Sequence, residues 1–300
     1  MKTVNVSFSI IVIILLTAIG TASAWTTPAP LSEVNTQYTE LVGCISYDGL
    51  TLYFPRSNTD AFYYTRIYQA TRQQASGPFS NVQELSNLNY SGGHVSSPWV
   101  TSDNLRMYYF RTEPGSVWRL KMTQRASASD PWMPGNNITE LNALGNVNLP
   151  TLSQDELTIV FAGTNVSGGM GSSDLYMATR SDKYSSFSSP FNLTQLNSAG
   201  ADQGAWLSPN GLTLFYMSDR TGTHQLYKST RLGTSEAFSS STLFTDINFS
   251  ATPLGSGTFS ADGSTFYFDS GQNIYVSQIP EPATMVLLAL GGIFLRKVRC

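Results

Sequence analysis

The sequence predicts an all-β fold, a five-bladed β-propeller, and three observations support this prediction. A turn motif recurs five times at nearly constant spacing, each of the first four repeats holds four strand-like segments, and the last repeat lacks its fourth strand. The composition agrees, because aromatic residues make up 12% of the chain and charged residues also only 12%. Aromatic and β-branched side chains fill pleated sheets, and small polar residues form the turns between strands.

The recurring motif is a hairpin turn followed by an alternating strand. It reads Ser-Tyr-Asp-Gly-Leu-Thr-Leu-Tyr-Phe over residues 46–54 and Ser-Ala-Asp-Gly-Ser-Thr-Phe-Tyr-Phe over residues 260–268. The Asp-Gly step supplies the positive φ that a tight hairpin turn requires. The five turn residues are spaced 55, 52, 55 and 52 positions apart, which indicates an internal repeat. They are Asp48, Asp103, Asp155, Asn210 and Asp262.

Each repeat continues with a third strand and a weaker outer strand. The third strand follows the turn by about 20 residues, as in Leu-Tyr-Lys-Ser-Thr-Arg over residues 226–231. Outer strands are predicted within residues 82–85, 138–141, 191–196 and 241–244. Four strands in a unit of about 50 residues are typical of a propeller blade.

The fifth repeat indicates how the ring closes. It ends at Ile279, after its third strand. The segment Pro30–Asn35 lies where an outer strand would precede the first repeat, so we expect this N-terminal strand to complete the fifth blade. Closure in this way removes an open sheet edge. Residues 25–279 are therefore predicted to form one propeller domain.

The N-terminal residues 1–24 are predicted to be a secretory signal peptide. The basic Lys2, an apolar stretch over residues 10–19 and the ending Ala22-Ser23-Ala24 have the order typical of such signals. The apolar stretch is short for crossing a bilayer, which takes about 20 residues. We expect cleavage after Ala24, and an N-terminal membrane anchor is the alternative.

The C-terminal residues 280–300 combine three features in a fixed order. A Pro-Glu-Pro triplet precedes an apolar stretch that ends at Leu295, and a basic tip follows it. An apolar stretch followed by basic residues is a stop-transfer pattern, so we predict a short transmembrane helix whose charged end is cytoplasmic. The triplet and the tip consist of Pro280, Glu281, Pro282, Arg296, Lys297 and Arg299.

This segment resembles the PEP-CTERM sorting signal of bacteria. The resemblance implies an exosortase-type sorting enzyme as partner and cleavage near residues 280–282. It also implies transient anchoring in the membrane and delivery to the cell envelope, cell surface or extracellular matrix. Cys300 departs from the pattern, which usually ends on basic residues. An ordinary C-terminal membrane anchor is the alternative.

The turn motifs resemble the WD-like repeats of TolB-type propellers. The fourth repeat matches best, with Ser-Pro-Asn-Gly over residues 208–211 and Ser-Asp-Arg-Thr-Gly over residues 218–222. The resemblance implies a propeller that binds partners, and it implies no catalytic residue.

Loops on one face of the predicted ring carry the candidate ligand-binding residues. The loops before the first strand and between the second and third strands share this face, and propeller ligands bind over the central channel or its rim. We predict ligand contacts there from Glu40, His94, Asp202 and His224. Glu40 and Asp202 belong to different blades and could also flank a glycosidic bond, whose hydrolysis uses two carboxylates about 5–9.5 Å apart.

Other conspicuous side chains are expected to be structural. The arginines that end third strands, Arg72, Arg180 and Arg231, are expected to pair with neighbouring groups. Trp99 and Trp206 occupy equivalent positions in their repeats and are expected to fill the space between blades.

Charge and spacing exclude several functions. The chain has 17 Lys and Arg residues against 20 Asp and Glu residues and no basic stripe, whereas nucleic-acid binding requires clustered positive charge. Its two histidines lack the spacing of metal ligands, so we expect no metal and no other cofactor. The sequence predicts an exported, non-catalytic binding module for exopolysaccharide or an envelope protein. A five-bladed glycoside hydrolase or lyase is the alternative.

Overall fold

The computed structural model describes residues 25–57, 64–90, 92–247 and 254–279. Within these residues, twenty strands form five antiparallel sheets of four strands each, which confirms the predicted five-bladed propeller. The predicted signal peptide, transmembrane helix and sorting motif lie outside the described residues. None of the described helices has the length and hydropathy that a bilayer crossing requires.

The strand bounds follow the predicted repeats, with one correction in the second repeat. The outer strand predicted within residues 138–141 lies earlier, at residues 136–137, and residues 139–142 form a short helix because the Asn142 N–H donates back to the Ile138 carbonyl at 3.0 Å. Blade 1 contains β2 (Cys44–Ile45), β3 (Thr51–Ser57), β4 (Thr65–Thr71) and β5 (Ser80–Glu84). Blade 2 contains β6 (Val95–Val100), β7 (Arg106–Glu113), β8 (Val117–Gln124), β9 (Asn136–Asn137) and the helix α1 (Thr139–Asn142). Blade 3 contains β10 (Asn146–Leu152), β11 (Thr158–Thr164), β12 (Ser173–Thr179) and β13 (Phe191–Asn192). Blade 4 contains β14 (Asp202–Leu207), β15 (Thr213–Ser218), β16 (Gln225–Thr230) and β17 (Thr242–Leu243). Blade 5 contains β18 (Leu254–Phe259), β19 (Thr265–Ser270), β20 (Asn273–Gln278) and the N-terminal strand β1 (Ala29–Pro30).

The N-terminal strand closes the ring, as predicted. Ala29 is paired with Val276, and the Leu31 N–H donates to the Ile274 carbonyl at 2.8 Å. The strand begins one residue before the predicted segment and does not extend to Asn35. The reason is a turn, in which the Val34 N–H donates back to the Leu31 carbonyl at 3.0 Å.

Apolar clusters lie between all neighbouring blades. Tyr53 of blade 1 and Met107 of blade 2 share one cluster, and Phe54 of blade 1 and Tyr267 of blade 5 share another. Trp206 packs against Phe259 of blade 5 with ring centres 5.0 Å apart, as expected for a side chain that fills the space between blades. The core is therefore divided among the five interfaces of the ring.

The hairpin turns are held by local side-chain hydrogen bonds. In blade 1 the Ser46 hydroxyl donates to Asp48 at 2.6 Å and accepts from the Thr51 N–H at 2.8 Å. The residue after the Asp adopts positive φ, with 72° at Gly49, 56° at Asn104 and 62° at Glu156. Asn104 and Glu156 show that the turn does not depend on glycine in every repeat.

A second repeated feature is an asparagine whose side chain forms hydrogen bonds with both the N–H and the carbonyl of one residue in the third strand. The Asn142 side chain accepts from the Leu120 N–H at 2.8 Å and donates to the Leu120 carbonyl at 2.9 Å. Asn197 forms the same pair of bonds with Leu175, at 2.8 and 3.0 Å. Further copies are formed by Asn35 with Ile274 and by Asn89 with Ile67.

Candidate functional site

The central channel opens into a cavity on one side of the ring. We call the side where the chain enters the first strand of each blade the entry face, and the side of the hairpin turns the turn face. The entry-face cavity has a volume of about 520 Å³. Each blade contributes the residue seven positions before its turn residue, so the cavity lies where all five blades meet. These residues are Leu41, Ser96, Asn148, Gln203 and Gly255.

β-Bulges direct consecutive side chains toward this cavity. The register of the first strand shifts between Ser96 and Trp99 in blade 2 and between Asn148 and Thr151 in blade 3. Leu149, inside the second of these bulges, has a φ of 52°. Because a bulge interrupts the alternation of a strand, Asn148 and Leu149 both line the cavity.

Small and rigid residues narrow the channel below the cavity. Pro98, Pro150 and Ala205 lie at equivalent positions of the first strands and surround a space of only about 30 Å³. A ligand entering from this face would therefore meet a floor instead of an open pore.

Neutral hydrogen-bonding groups dominate the polar part of the cavity wall, and Trp118 and Phe110 form an aromatic side. The Asn148 side chain is only 7% exposed, and its Oδ1 atom has no hydrogen-bond partner among the described residues. A buried acceptor without a donor is costly, so a turn of the Asn148 side chain that brings this enclosed oxygen to the cavity would be favoured by a hydrogen bond from a ligand or water. The neutral polar residues are Thr65, Ser96, Ser97, Asn148, Gln203 and Ser256.

His94 lies in the cavity wall, where the sequence placed a ligand contact. Its Nδ1 atom is 3.2 Å from the Thr65 hydroxyl, and its ring centre is 6.3 Å from that of Tyr64. Burial, together with the positive charge of Arg66, lowers the pKa of His94 below its ordinary value. The imidazole is therefore uncharged at neutral pH.

Asp269 is the one carboxylate among the described residues that line the cavity. Its Oδ1 atom accepts from the Val42 N–H at 3.0 Å and from the Ser256 hydroxyl at 2.6 Å, so it links blade 5 to blade 1. Burial raises the pKa of Asp269 to about 6, although these hydrogen bonds lower it.

Asp269 is not among the residues predicted from the sequence, although the repeats contain a signal for it. Asp269 lies seven positions after its turn residue, inside the apolar stretch Phe-Tyr-Phe-Asp over residues 266–269. The other repeats have a side chain without charge at this position: Pro55, Phe110, Ala162 and Met217. An acid in a strand position that is otherwise apolar marks a site with a specific role.

The raised pKa of Asp269 predicts a pH-dependent stability. An unfolded carboxyl has a pKa near 3.8, so the folded chain holds this proton more tightly. The contribution is fully present below about pH 4 and is lost as the pH rises through 6, by about 3 kcal/mol in total. Asp269→Asn should remove this loss and be more stable than the wild type at pH 7.5. Urea unfolding from pH 4 to 8 measures the difference, with the exposed Asp130→Asn as control. An unchanged pH profile in Asp269→Asn would contradict this assignment.

Glu40 is placed beside the cavity but is enclosed by its own loop. Its side chain is 0% exposed and accepts from Arg56 Nε at 2.8 Å and from the Thr36 hydroxyl at 2.6 Å. These bonds fasten the loop that leads into β2. A direct ligand contact from Glu40 stays a prediction.

Asp202 occupies the equivalent position in blade 4 and has equivalent partners. Its side chain is also 0% exposed, and it accepts from Arg220 Nη2 at 2.8 Å and from the Ser198 hydroxyl at 2.7 Å.

His224 is half-buried in the loop between β15 and β16, and its Nε2 atom has no hydrogen-bond partner within the described chain. Neither Asp202 nor His224 lines the entry-face cavity.

In the part of the chain that the structure describes, no group of three or more His, Cys, Asp or Glu side chains is arranged to hold a metal ion. Asp60, which the sequence places on the entry face, lies outside the described residues.

Comparisons with solved structures agree with the fold. The structure is similar to CoXyl43, a GH43 β-xylosidase/α-arabinofuranosidase from a compost microbial metagenome, with a TM-score of 0.62, 13% identity and coverage of 86% of this chain and 96% of that chain. A GH43_1 enzyme from Xanthomonas citri gives a TM-score of 0.60 at 11% identity, with 87% and 92% coverage. TolB from Acinetobacter baumannii gives 0.48 at 20% identity over 77% of this chain and 50% of its own. At these identities the similarity to the two GH43 enzymes shows the fold alone.

Comparisons of sequence identify the C-terminal segment. No curated protein matches the chain. Residues 278–299 match the PEP-CTERM protein-sorting motif, which agrees with the predicted resemblance and implies processing by an exosortase. The chain is thus an exported five-bladed β-propeller with a C-terminal PEP-CTERM sorting motif that anchors it transiently in the membrane.

Proposed function

We propose that this propeller binds a saccharide segment of extracellular polysaccharide in the entry-face cavity and does not cleave it. The observation that supports this most is the cavity wall itself, in which neutral hydrogen-bonding groups, Asn148 among them, lie beside the aromatic side formed by Trp118 and Phe110. Sugar hydroxyls both donate and accept hydrogen bonds, so they match hydroxyl and amide side chains without needing an opposite charge. The C–H faces of a sugar ring can pack against Trp118.

The dimensions of the cavity suit a ligand of this size. Small-molecule sites commonly have volumes of about 300–1,000 Å³ and combine apolar walls with a few placed polar groups. The entry-face cavity, at about 520 Å³, falls within this range. The narrow channel below it favours a terminal or looped segment over a chain threaded through the ring.

The arrangement of carboxylates favours binding over hydrolysis. Glycoside hydrolysis uses two carboxyl groups on either side of the bond. Asp269 is the one carboxylate that the described residues bring to the cavity, and its Oδ1 atom is already engaged by blade 1 and Ser256. Glu40 and Asp202 act in this proposal as positioning residues, which hold the loops that shape the rim.

A glycoside hydrolase is the second candidate, and Asp269 is the observation that favours it. Its pKa of about 6 suits a general acid at neutral pH. In that case a second carboxylate must approach from outside the described residues, where Asp60 lies on the same predicted face.

A polysaccharide array that records retention and released sugars distinguishes these functions. The full chain, purified in detergent, should be retained without release, and Asn148→Ala should weaken retention about fivefold through the loss of one hydrogen bond. Asn136→Ala, an exposed asparagine on β9, serves as the matched control.

Each other result contradicts the proposal in a different way. Released sugar that disappears in Asp269→Asn would establish the hydrolase. Equal retention of Asn148→Ala and the wild type would place the saccharide site elsewhere. The absence of both retention and release would exclude saccharides and leave an envelope protein as the ligand.

A further inference from the structure

Four of the five interfaces between blades contain the same pair of an arginine and an aromatic residue. The arginine follows the third strand, and its Nε atom donates to the carbonyl of the positive-φ turn residue at 2.7–2.9 Å. Its guanidinium carbon lies 4.2–4.6 Å from the centre of the aromatic ring seven residues later. The pairs are Arg72 with Phe79, Arg125 with Trp132, Arg180 with Phe187, and Arg231 with Phe238.

Three of these arginines also donate to a tyrosine hydroxyl of the preceding blade. Arg72 Nη2 donates to the Tyr267 hydroxyl at 3.1 Å, and Arg180 Nη2 donates to the Tyr108 hydroxyl at the same distance. In blade 3 the equivalent residue is Val160, and Arg231 Nη2 accordingly lacks a hydrogen-bond partner among the described residues. Arg231 Nη1 instead contacts Met177 Sδ at 3.9 Å and the Glu236 carbonyl at 3.5 Å. The turn carbonyl and the aromatic ring are therefore the contacts that all four arginines share.

The interface between blades 4 and 5 has the same backbone frame without the arginine. The Ile279 N–H donates to the Ser264 carbonyl, as the Arg72 N–H donates to the Leu50 carbonyl, so Ile279 occupies the arginine position. The Thr26 N–H donates to the carbonyl of Gln278, the residue before Ile279. In blades 3 and 4 the residue after the interface aromatic likewise donates to the carbonyl of the residue before the arginine, from Ser188 to Thr179 and from Ser239 to Thr230. Trp25 therefore occupies the aromatic position.

An open cleft lies at this interface on the turn face. Its volume is about 510 Å³, and we call it the blade 4–5 cleft. At Gly263 no atom of the described residues lies within 4 Å of an added Cβ, whereas at the equivalent Gly211 the Arg231 Nη2 atom lies 3.4 Å away. No described residue therefore fills the space that a guanidinium takes at the other interfaces. Residues lining the cleft include Trp25, Phe215, Phe244, Phe259, Gly263 and Ile279.

Charges around the cleft favour a cation. Asp246, Asp262 and Lys228 line it, so the described wall carries two acids and one base. Burial alone would raise the pKa of Asp262, but hydrogen bonds from Ser260 and Ser264 outweigh this effect and lower it, so the group is ionised at neutral pH. Lys228 lies with its Nζ atom 5.6 Å from the Phe215 ring centre.

We propose that the blade 4–5 cleft binds an arginine side chain of a partner peptide, in the place that the chain's own arginines take at the other four interfaces. A guanidinium stacks on aromatic faces and donates to carbonyl and carboxylate oxygens in one plane. Trp25 supplies the aromatic face, and Gly263 supplies the carbonyl that corresponds to those of Gly49 and Gly211. The cleft lies on the opposite face from the entry-face cavity, so this proposal is independent of saccharide binding.

The test is a calorimetric titration of the full chain in detergent with N-acetylarginine amide. N-Acetylcitrulline amide, which has the same shape without the charge, should not bind. Asp246→Asn should weaken binding of the arginine compound about two- to fivefold, and Lys228→Gln should strengthen it by a similar factor, as expected for exposed charges. Glu236→Gln removes an exposed acid elsewhere on the turn face and should change nothing.

The outcomes separate the alternatives. Equal binding of the citrulline and arginine compounds, or equal affinity in Asp246→Asn, Lys228→Gln and Glu236→Gln, would overturn the proposal. Absence of binding to the folded chain would also overturn it. Binding that appears only after Arg296, Lys297 and Arg299 are replaced by Gln would show that the chain's own basic tip is the occupant, which overturns a partner peptide.

Discussion

Replacing Glu40 by Ala is expected to destabilise the propeller by about 3–5 kcal/mol, because it leaves an arginine that is only 12% exposed without its counter-ion. Glu40 is fully buried and joins Arg56 to the loop that leads into β2. Arg56 would keep its bond to the Val34 carbonyl at 2.8 Å and its stacking on Tyr68, neither of which neutralises its charge.

Chemical unfolding of the full chain, followed by tryptophan fluorescence, measures this effect. Glu33→Gln removes an exposed acid from the same N-terminal loop and should change the free energy of unfolding by less than about 0.5 kcal/mol. The double variant Glu40→Ala with Arg56→Met should recover much of the loss, since an uncompensated charge no longer exists. A loss in Glu40→Ala no larger than that of Glu33→Gln would show that the ion pair contributes nothing to stability.

The fold was predictable because the repeat encodes each blade locally. Each blade is specified by features that involve only a few neighbouring residues. These features are an Asp or Asn at the turn, an alternating strand after it and a third strand that ends in arginine. The fifth repeat, which stops at Ile279, even predicted ring closure. The exact pairing of β1 was less predictable, since the turn after Leu31 is stabilised by contacts with blade 5 that come from the opposite end of the chain.

The candidate site was less predictable because charge alone does not report burial. Glu40 and Asp202 are acids in loops on the predicted ligand-binding face, yet both are enclosed by arginines eighteen or fewer residues away in sequence, Arg56 and Arg220. Asp269 was overlooked because it lies within a strand. The side chains that form the cavity depend on β-bulges, whose sequence signal is a proline inside a first strand, at Pro98 and Pro150.

A further repeat was visible in the sequence but became meaningful only in the structure. The outer strand is followed directly by an apolar residue, Ser or Thr, any residue, a second apolar residue and Asn, as in Ile-Thr-Glu-Leu-Asn over residues 138–142. The copy at residues 31–35 belongs to the N-terminal segment, which independently assigns that segment to blade 5. The copy at residues 244–248 ends at Asn248, outside the described residues.

This repeat leads to a second large effect, the loss of stability in Asn142→Ala. The buried Asn142 amide satisfies both the N–H and the carbonyl of Leu120, where the two-residue strand β9 leaves β8 without a backbone partner for that N–H. Removing the amide leaves a buried donor unpaired and opens a small cavity, so we expect a loss of about 2–4 kcal/mol. For a domain of this size, such a loss lowers Tm by roughly 4–16 °C.

Thermal and chemical unfolding of three variants separates the hydrogen bonds from the volume of the side chain. Asn142→Asp keeps an acceptor for the Leu120 N–H but buries a charge and cannot donate to the Leu120 carbonyl, so it should be at least as destabilised as Asn142→Ala at pH 7. Asn136→Ala, on the exposed strand β9 of the same blade, should stay within about 0.5 kcal/mol of the wild type. If Asn142→Ala and Asn136→Ala have the same free energy of unfolding, the two hydrogen bonds between Asn142 and Leu120 contribute nothing to stability. The five repeated asparagines would then need an explanation other than the stability of the third strands.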